Sequence, residues 1–204
     1  MIIGPTLIII IVTVVTSFAA WQRPGLLDAM ILRPPAVWRG EAWRLLSHGL
    51  IHADGNHLLF NMITLFFFGS VMEQVLAPRI GVAGFVLFYL AGLVVASIPD
   101  LLRRRHDRDY ASLGASGAVA GVLFAYILLE PWAMLLVFFI PVPAVVFAVA
   151  FVAYSLWAEK HARSNLNHGA HLWGAAWGVV FMLALEPSLL PRFLNRLVTF
   201  SDAS

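Results

Sequence analysis

Gly114-Ala115-Ser116-Gly117-Ala118-Val119-Ala120-Gly121-Val122-Leu123-Phe124-Ala125-Tyr126-Ile127-Leu128-Leu129 is an uncharged apolar run that opens directly behind the polar stretch Asp109-Tyr110-Ala111-Ser112. It reads as a membrane-embedded helix with a serine hydroxyl in its first turn. A serine becomes nucleophilic only when a base within reach takes its proton. The strongest candidate base is His171, in His171-Leu172-Trp173-Gly174-Ala175-Ala176-Trp177-Gly178. Both residues are nearly surrounded by membrane-spanning sequence.

The rest of the chain has the same character. Of 204 residues 61% are hydrophobic and 12% charged, half the charged share of an ordinary soluble domain. Mean hydropathy is +0.86. No cysteine is present, which excludes disulfides and thiolate metal sites. The net charge of +2 and the scattered basic residues give no nucleic-acid footprint; membrane lipids are the partner that suits them.

Six apolar windows are long enough, or nearly so, to cross a bilayer: about 2–20, 56–76, 80–98, 115–129, 143–158 and 170–185. The fold class expected is therefore all-α, a polytopic membrane protein with six transmembrane helices in one domain over residues 1–204. The first window lacks a basic leader and is rich in isoleucine, so it reads as a retained helix rather than a signal peptide. The apolar piece Trp132 to Ile140 lies among Pro131, Pro141 and Pro143. It reads either as an interfacial segment or as a proline-kinked extension of the fifth helix. The long loop 21–55 carries Trp21, Trp38 and Trp43, which prefer the headgroup level, and Pro24, Pro34 and Pro35, which rule out one regular helix.

Parity then decides which residues can meet. Successive spans run in opposite directions, so the second, fourth and sixth begin on one side of the membrane. Their first turns hold His57 and Asn61, Ser116, and His171. His57 and Asn61 are four apart on one helix face, and Ser116 lies at a helix N-terminus where amides are unpaired. Together they can offer several donors to one oxyanion. Gly117 with Gly121, and Gly174 with Gly178, form small-residue faces that let two helices approach closely. Glu73 is twelve residues beyond Asn61, about 18 Å deeper along the helix, and cannot orient His171. A structural tie between helix and loop suits it better, leaving a Ser-His dyad.

These residues resemble the rhomboid family of intramembrane serine proteases. The resemblance rests on Trp43-Arg44, on His48, His52, His57 and Asn61, on Gly114-Ala115-Ser116-Gly117, and on Ala170-His171-Leu172-Trp173-Gly174, in order across three helices. It implies that Ser116 is the nucleophile and His171 the general base. It implies an oxyanion hole of His57, Asn61 and the Ser116 amide, with His52, Trp43 and Arg44 shaping the first loop and Glu73 structural. Transmembrane segments of other proteins are the implied substrates, with no cofactor and no metal, in a bacterial cytoplasmic membrane. Ala120 departs from some relatives, in which an aromatic residue at this position packs on the catalytic imidazole. Trp173 or Trp177 is the candidate to supply a face in its stead.

Two rival readings remain: a catalytically silent rhomboid-like protein that binds membrane clients, and a metal site or transporter built on His48, His52 and His57. Orientation also stays open. The Ser116 side carries Arg23, Arg33, Arg39, Arg44, Arg103, Arg104, Arg105, Arg108, Lys160 and Arg163, against Arg79, Arg192 and Arg196 opposite. The positive-inside rule turns Ser116 toward the cytoplasm, whereas the resemblance turns it outward.

Overall fold

A computed structural model describes residues 4–137, 139–161 and 167–199. The start of the first expected span (residues 2 and 3), Arg163 of the loop charge set and the last five residues lie outside the described residues. Helix α1 spans Pro5–Gln22, with proline at its first position, where a missing N–H costs nothing. The segment 21–55 is broken, as its prolines require, into α2 (Pro24–Met30), α3 (Pro34–Trp38), α4 (Arg44–Ser47) and a 3-10 turn at His48–Leu50.

Helix α5 (Gly55–Thr64) passes through a π turn at Leu65–Gly69 into α6 (Ser70–Arg103). The second and third expected spans therefore join in one helical element, and the link between them is a single residue, Gly81, at φ 76° and ψ 166°. That conformation needs glycine. The chain folds back there: Ser97 Oγ lies 3.1 Å from His48 Nε2, on the α5 side, while Arg79 reaches Glu186 at the other end.

Helix α7 (Ser116–Leu129) is the centre of the bundle, with every residue from Gly117 to Ala125 buried. An α-helix apolar on all sides belongs inside a bundle. Its neighbours are α6, α8 (Ala144–His161) and α9 (His168–Leu185). A side chain at Gly174 would overlap the Gly117 carbonyl, and one at Gly178 would overlap that of Gly121. The two glycine faces thus bring α7 and α9 into backbone contact.

Four helices among the described residues are long and apolar enough to cross a membrane: α1, the 49-residue element Gly55–Arg103, α8 and α9; α7 is apolar but shorter. The chain is mostly helical, as the all-α class expects, and one short piece departs from helix. Met134–Val137 (β1) and Ile140–Pro143 (β2) pair as an antiparallel hairpin, Leu135 opposite Val142. Proline ends helix at this point, so the piece from Trp132 is not an extension of α8. A further helix, α10 (Leu189–Val198), follows the last expected span.

Candidate active site

Ser116 is the first residue of α7, and the loop before it is held in place from three directions. Gly114 stands at φ +112°, and a Cβ there would lie 2.6 Å from His57 Cε1, so both its conformation and its contact with His57 require glycine. Its N–H donates to the His48 carbonyl at 2.9 Å. The Ala115 N–H donates to His52 Nε2 at 3.3 Å. Because Nε2 accepts, the proton of His52 is on Nδ1, which donates to Ser17 Oγ at 3.2 Å; that hydroxyl donates in turn to the Leu50 carbonyl at 3.1 Å. A fully buried histidine thereby ties α1, the first loop and the Ser116 turn together.

His171 rises from the first turn of α9, and its Nε2 lies 2.8 Å from Ser116 Oγ. The hydroxyl donates to that nitrogen when the imidazole is neutral, which is the geometry for taking the serine proton. Helix α9 begins where it does because Asn167 caps it, Oδ1 accepting from the Ala170 N–H at 3.0 Å. The Asn167 amide nitrogen meets the Asp100 carboxylate, the Tyr110 hydroxyl at 3.0 Å and Ser112 Oγ at 3.4 Å. Burial first, and then the Asp100 charge, push the Tyr110 hydroxyl up, so it keeps its proton. The base-bearing helix is thus fastened to the end of α6 and to the loop before α7.

Of the expected oxyanion donors, His57 packs against His52 with ring centroids 5.0 Å apart, and its buried Nε2 has no hydrogen-bond partner among the described residues. The Asn61 amide nitrogen donates to the His57 carbonyl at 2.8 Å, which uses one of its two N–H groups. Glu73 reaches neither histidine nor serine: it accepts from the Thr6 N–H at 2.9 Å and so caps α1 at the far end. Trp43 is half exposed and donates to the Ala29 carbonyl at 3.2 Å. Arg44 is buried and laces the first loop, donating to the carbonyls of Asp28 at 2.6 Å and Ile31 at 2.7 Å while pairing with Glu41.

The ring against His171 is neither expected tryptophan. Trp173 points outward, 47% exposed, and Trp177 stacks on Phe88 and donates to its carbonyl at 3.0 Å. Phe151 of α8 takes the place instead, with centroids 5.9 Å apart and planes 30° from parallel. Nothing in the sequence distinguishes Phe151 from Phe147 on the same helix, whereas Asn167, which the sequence reading missed, carries a signal that could have found it: a capping side chain directly before an apolar run. No group of three or more histidine, cysteine or acidic side chains placed to hold a metal ion occurs among the described residues.

Ser116, His171, His57 and His48 line a cavity of about 640 Å³ whose wall also includes Asp100, Arg104 and Asn167. Polar and apolar side chains share its wall, which runs from the serine to the loop end of the bundle.

Residues 39–188, 150 of the 204, match the family model for the rhomboid domain. The chain belongs to the rhomboid family. It is 32% identical over 154 residues to RHOMBOID-like protein 12, mitochondrial, of Arabidopsis thaliana, covering 67% of this chain and 44% of that protein. It is 30% identical over 177 residues to Rhomboid protein 1, mitochondrial, of Saccharomyces cerevisiae, covering 82% of this chain and 49% of that one. With Rhomboid protease GluP of Bacillus subtilis the identity is 30% over 165 residues, covering 80% and 30%. The chain spans less than half the length of each of these three relatives. Rhomboids are generally intramembrane serine proteases that act on transmembrane proteins, and some are inactive. This rhomboid is accordingly an integral membrane protein of protease lineage.

Proposed function

We propose that this rhomboid is an active intramembrane serine endopeptidase that cuts transmembrane segments of other proteins by a Ser116-His171 dyad. The carrying observation is the 2.8 Å contact between His171 Nε2 and Ser116 Oγ, which a client-binding protein without catalysis does not need. Ser116 Oγ attacks the scissile carbonyl carbon while His171 Nε2 accepts its proton. The peptide C–N bond then breaks, and the imidazolium returns that proton to the leaving amine. Water, deprotonated by the same nitrogen, hydrolyses the acyl-enzyme and frees Ser116.

In this reading the tetrahedral oxygen is met by the Ser116 amide, His57 Nε2 and the second N–H of Asn61. His52, Gly114 and the close packing of Gly117 with Gly174 support the serine, Trp43 and Arg44 shape the loop beside it, and Glu73 acts at a distance as a structural cap. Residues 1–204 work as one membrane domain of six spans, with the Gly55–Arg103 element supplying two, in a bacterial cytoplasmic membrane. As a 14-residue helix, α7 is about 21 Å long against a hydrocarbon core of about 30 Å, so Ser116 starts below the surface and water arrives through the cavity that Asp100, Arg104 and Asn167 help to line. A substrate must unwind to expose its carbonyl, which favours segments rich in small, helix-breaking residues.

Ser116→Ala is expected to fold, to leave a transmembrane reporter uncut and to lose labelling by a fluorophosphonate. A wild-type protein that neither cuts nor labels would favour the silent client-binding reading. Outward placement of the Ser116 end follows the family against the arginine count. Trypsin added outside intact cells is then expected to cut within residues 103–108, and protection there reverses the orientation.

A further inference from the structure

The end of the bundle remote from Ser116 carries two elements that no span requires, and they are fastened to each other. The Trp132 indole N–H, just before β1, donates to the Arg196 carbonyl of α10 at 2.8 Å, and the Arg196 guanidinium pairs with Glu130 at 2.8 Å and meets the Leu129 carbonyl. Arg192 pairs with Glu186 at 2.7 Å, and Arg79 approaches the same carboxylate. Five charged side chains therefore form a belt at this level.

Beyond the belt the surface is apolar. Phe139, at the hairpin tip, is 94% exposed, and Leu136 and Ile140 beside it are mostly exposed. On α10 the apolar positions 189, 190, 193, 194, 197 and 198 cover about half the helix circumference, with Arg192, Asn195 and Arg196 opposite. Leu189 is buried against the core, while Leu190, Leu194 and Val198 project free of it.

Neither water nor the hydrocarbon centre suits this surface. In water an isolated two-stranded hairpin is marginal, and a large apolar tip beside an apolar helix face is costly. At the bilayer centre the open strand edges would leave backbone groups unpaired. The hairpin blunts that cost on one edge: the Ala144 N–H points inward to the Ala133 carbonyl, so Pro141 and Pro143 fall at the alternating positions where an N–H would point outward, and proline has none. The headgroup boundary, with acyl chains on one side and water on the other, satisfies apolar tip, half-satisfied edge and arginine face together.

We propose that the β1–β2 hairpin and α10 form a single interfacial platform, seated in the headgroup and upper acyl region of the bilayer that the spans cross. The inference holds whether or not Ser116 is a nucleophile.

The chain has no cysteine, so Phe139→Cys and Leu194→Cys each place one thiol on the platform of the full-length protein, and His106→Cys places one in the exposed loop at the Ser116 end. Each variant is labelled with an environment-sensitive fluorophore and reconstituted in vesicles of phosphatidylcholine and phosphatidylglycerol. Labels at 139 and 194 are expected to be quenched more by lipids carrying a shallow nitroxide than by deep ones, consistent with burial about 5–10 Å below the headgroups. Iodide on both sides should quench them about fivefold less than the label at 106. Equal iodide quenching at all three positions overturns the platform in favour of a water-exposed face. Stronger quenching by deep nitroxides overturns it in favour of full insertion. Protection from both quenchers overturns it in favour of a protein partner, a second copy included.

Discussion

Phe151 lies over the His171 imidazole with centroids 5.9 Å apart, and the two residues belong to different helices, α8 and α9. Ala120, on α7, leaves the imidazole without an aromatic neighbour from the serine's own helix. The stacking ring comes instead from α8, which buries only Ala144, Ser155 and Ala158 and so is lightly held. Any outward movement of α8 therefore removes the face that steadies the base. Aromatic pairs contribute about 0.5–1.5 kcal/mol beyond their area, so Phe151→Leu is expected to lower kcat by roughly three- to tenfold with little change in Tm. Phe151→Tyr should retain most of the activity. Equal kcat for the leucine and tyrosine variants would remove Phe151 from the site.

The Asn167 clasp separates two contributions. Losing an N-cap costs about 0.5–2 kcal/mol, so Asn167→Ala should lower Tm and slow fluorophosphonate labelling of Ser116. Asn167→Ser keeps a capping oxygen but drops the amide donor to Asp100 and Tyr110. It is expected to recover Tm more than labelling rate. If both properties recover together, the link to Asp100 does not position His171.

Backbone contact between α7 and α9 makes a third case. Gly174→Ala pushes a methyl group into the Gly117 carbonyl, and Gly178→Ala does the same at Gly121, so each should destabilise by about 1–3 kcal/mol or more through overpacking. Gly25→Ala, with nothing within 4 Å of its new Cβ, is the matched control and should leave thermal stability unchanged. Wild-type stability of Gly174→Ala in a detergent melt contradicts the contact.

Much of this site was readable beforehand because its logic is one of depth. Parity alone puts His57, Asn61, Ser116 and His171 at one end, since a helix that crosses must reverse. Rotation about the helix axis was not readable in α8, which is apolar all round: Phe147 and Phe151 differ only in what packs on them. The hairpin was hidden for a related reason. A short apolar run between prolines carries no period that separates strand from helix end. Gly81 was legible only as a short link, because one residue at positive φ is enough to reverse the chain.

First-loop histidines make stability pH-dependent. Burial holds His48 down from the usual 6.5 to about 4, and burial, followed by the nearby His57, holds His52 down to about 3. The unfolded chain therefore binds more protons than the folded one at intermediate pH, and stability rises with pH there. It should be complete above about pH 6.5 and fall as pH drops from there toward 4, with His52 extending the loss toward 3. Detergent melts of wild type across this range should slope accordingly, and His48→Gln should flatten the upper part. A wild-type Tm constant from pH 7 to 4 refutes the assignment.

The two proposed oxyanion side chains should not weigh equally. His57 Nε2 is buried and has no hydrogen-bond partner among the described residues, so it is available to a developing charge, whereas Asn61 already spends one N–H on the His57 carbonyl. Removing one such donor typically costs about 2.7–4 kcal/mol, or 10²–10³ in kcat. His57→Ala is expected to fall in that range with KM little changed, because the charge exists only in the transition state. Asn61→Ala should cost less in kcat and something in Tm, since its amide also braces α5. A larger kcat loss for Asn61→Ala than for His57→Ala reverses the ranking and makes Asn61 the principal donor, with its helix bond broken on substrate binding.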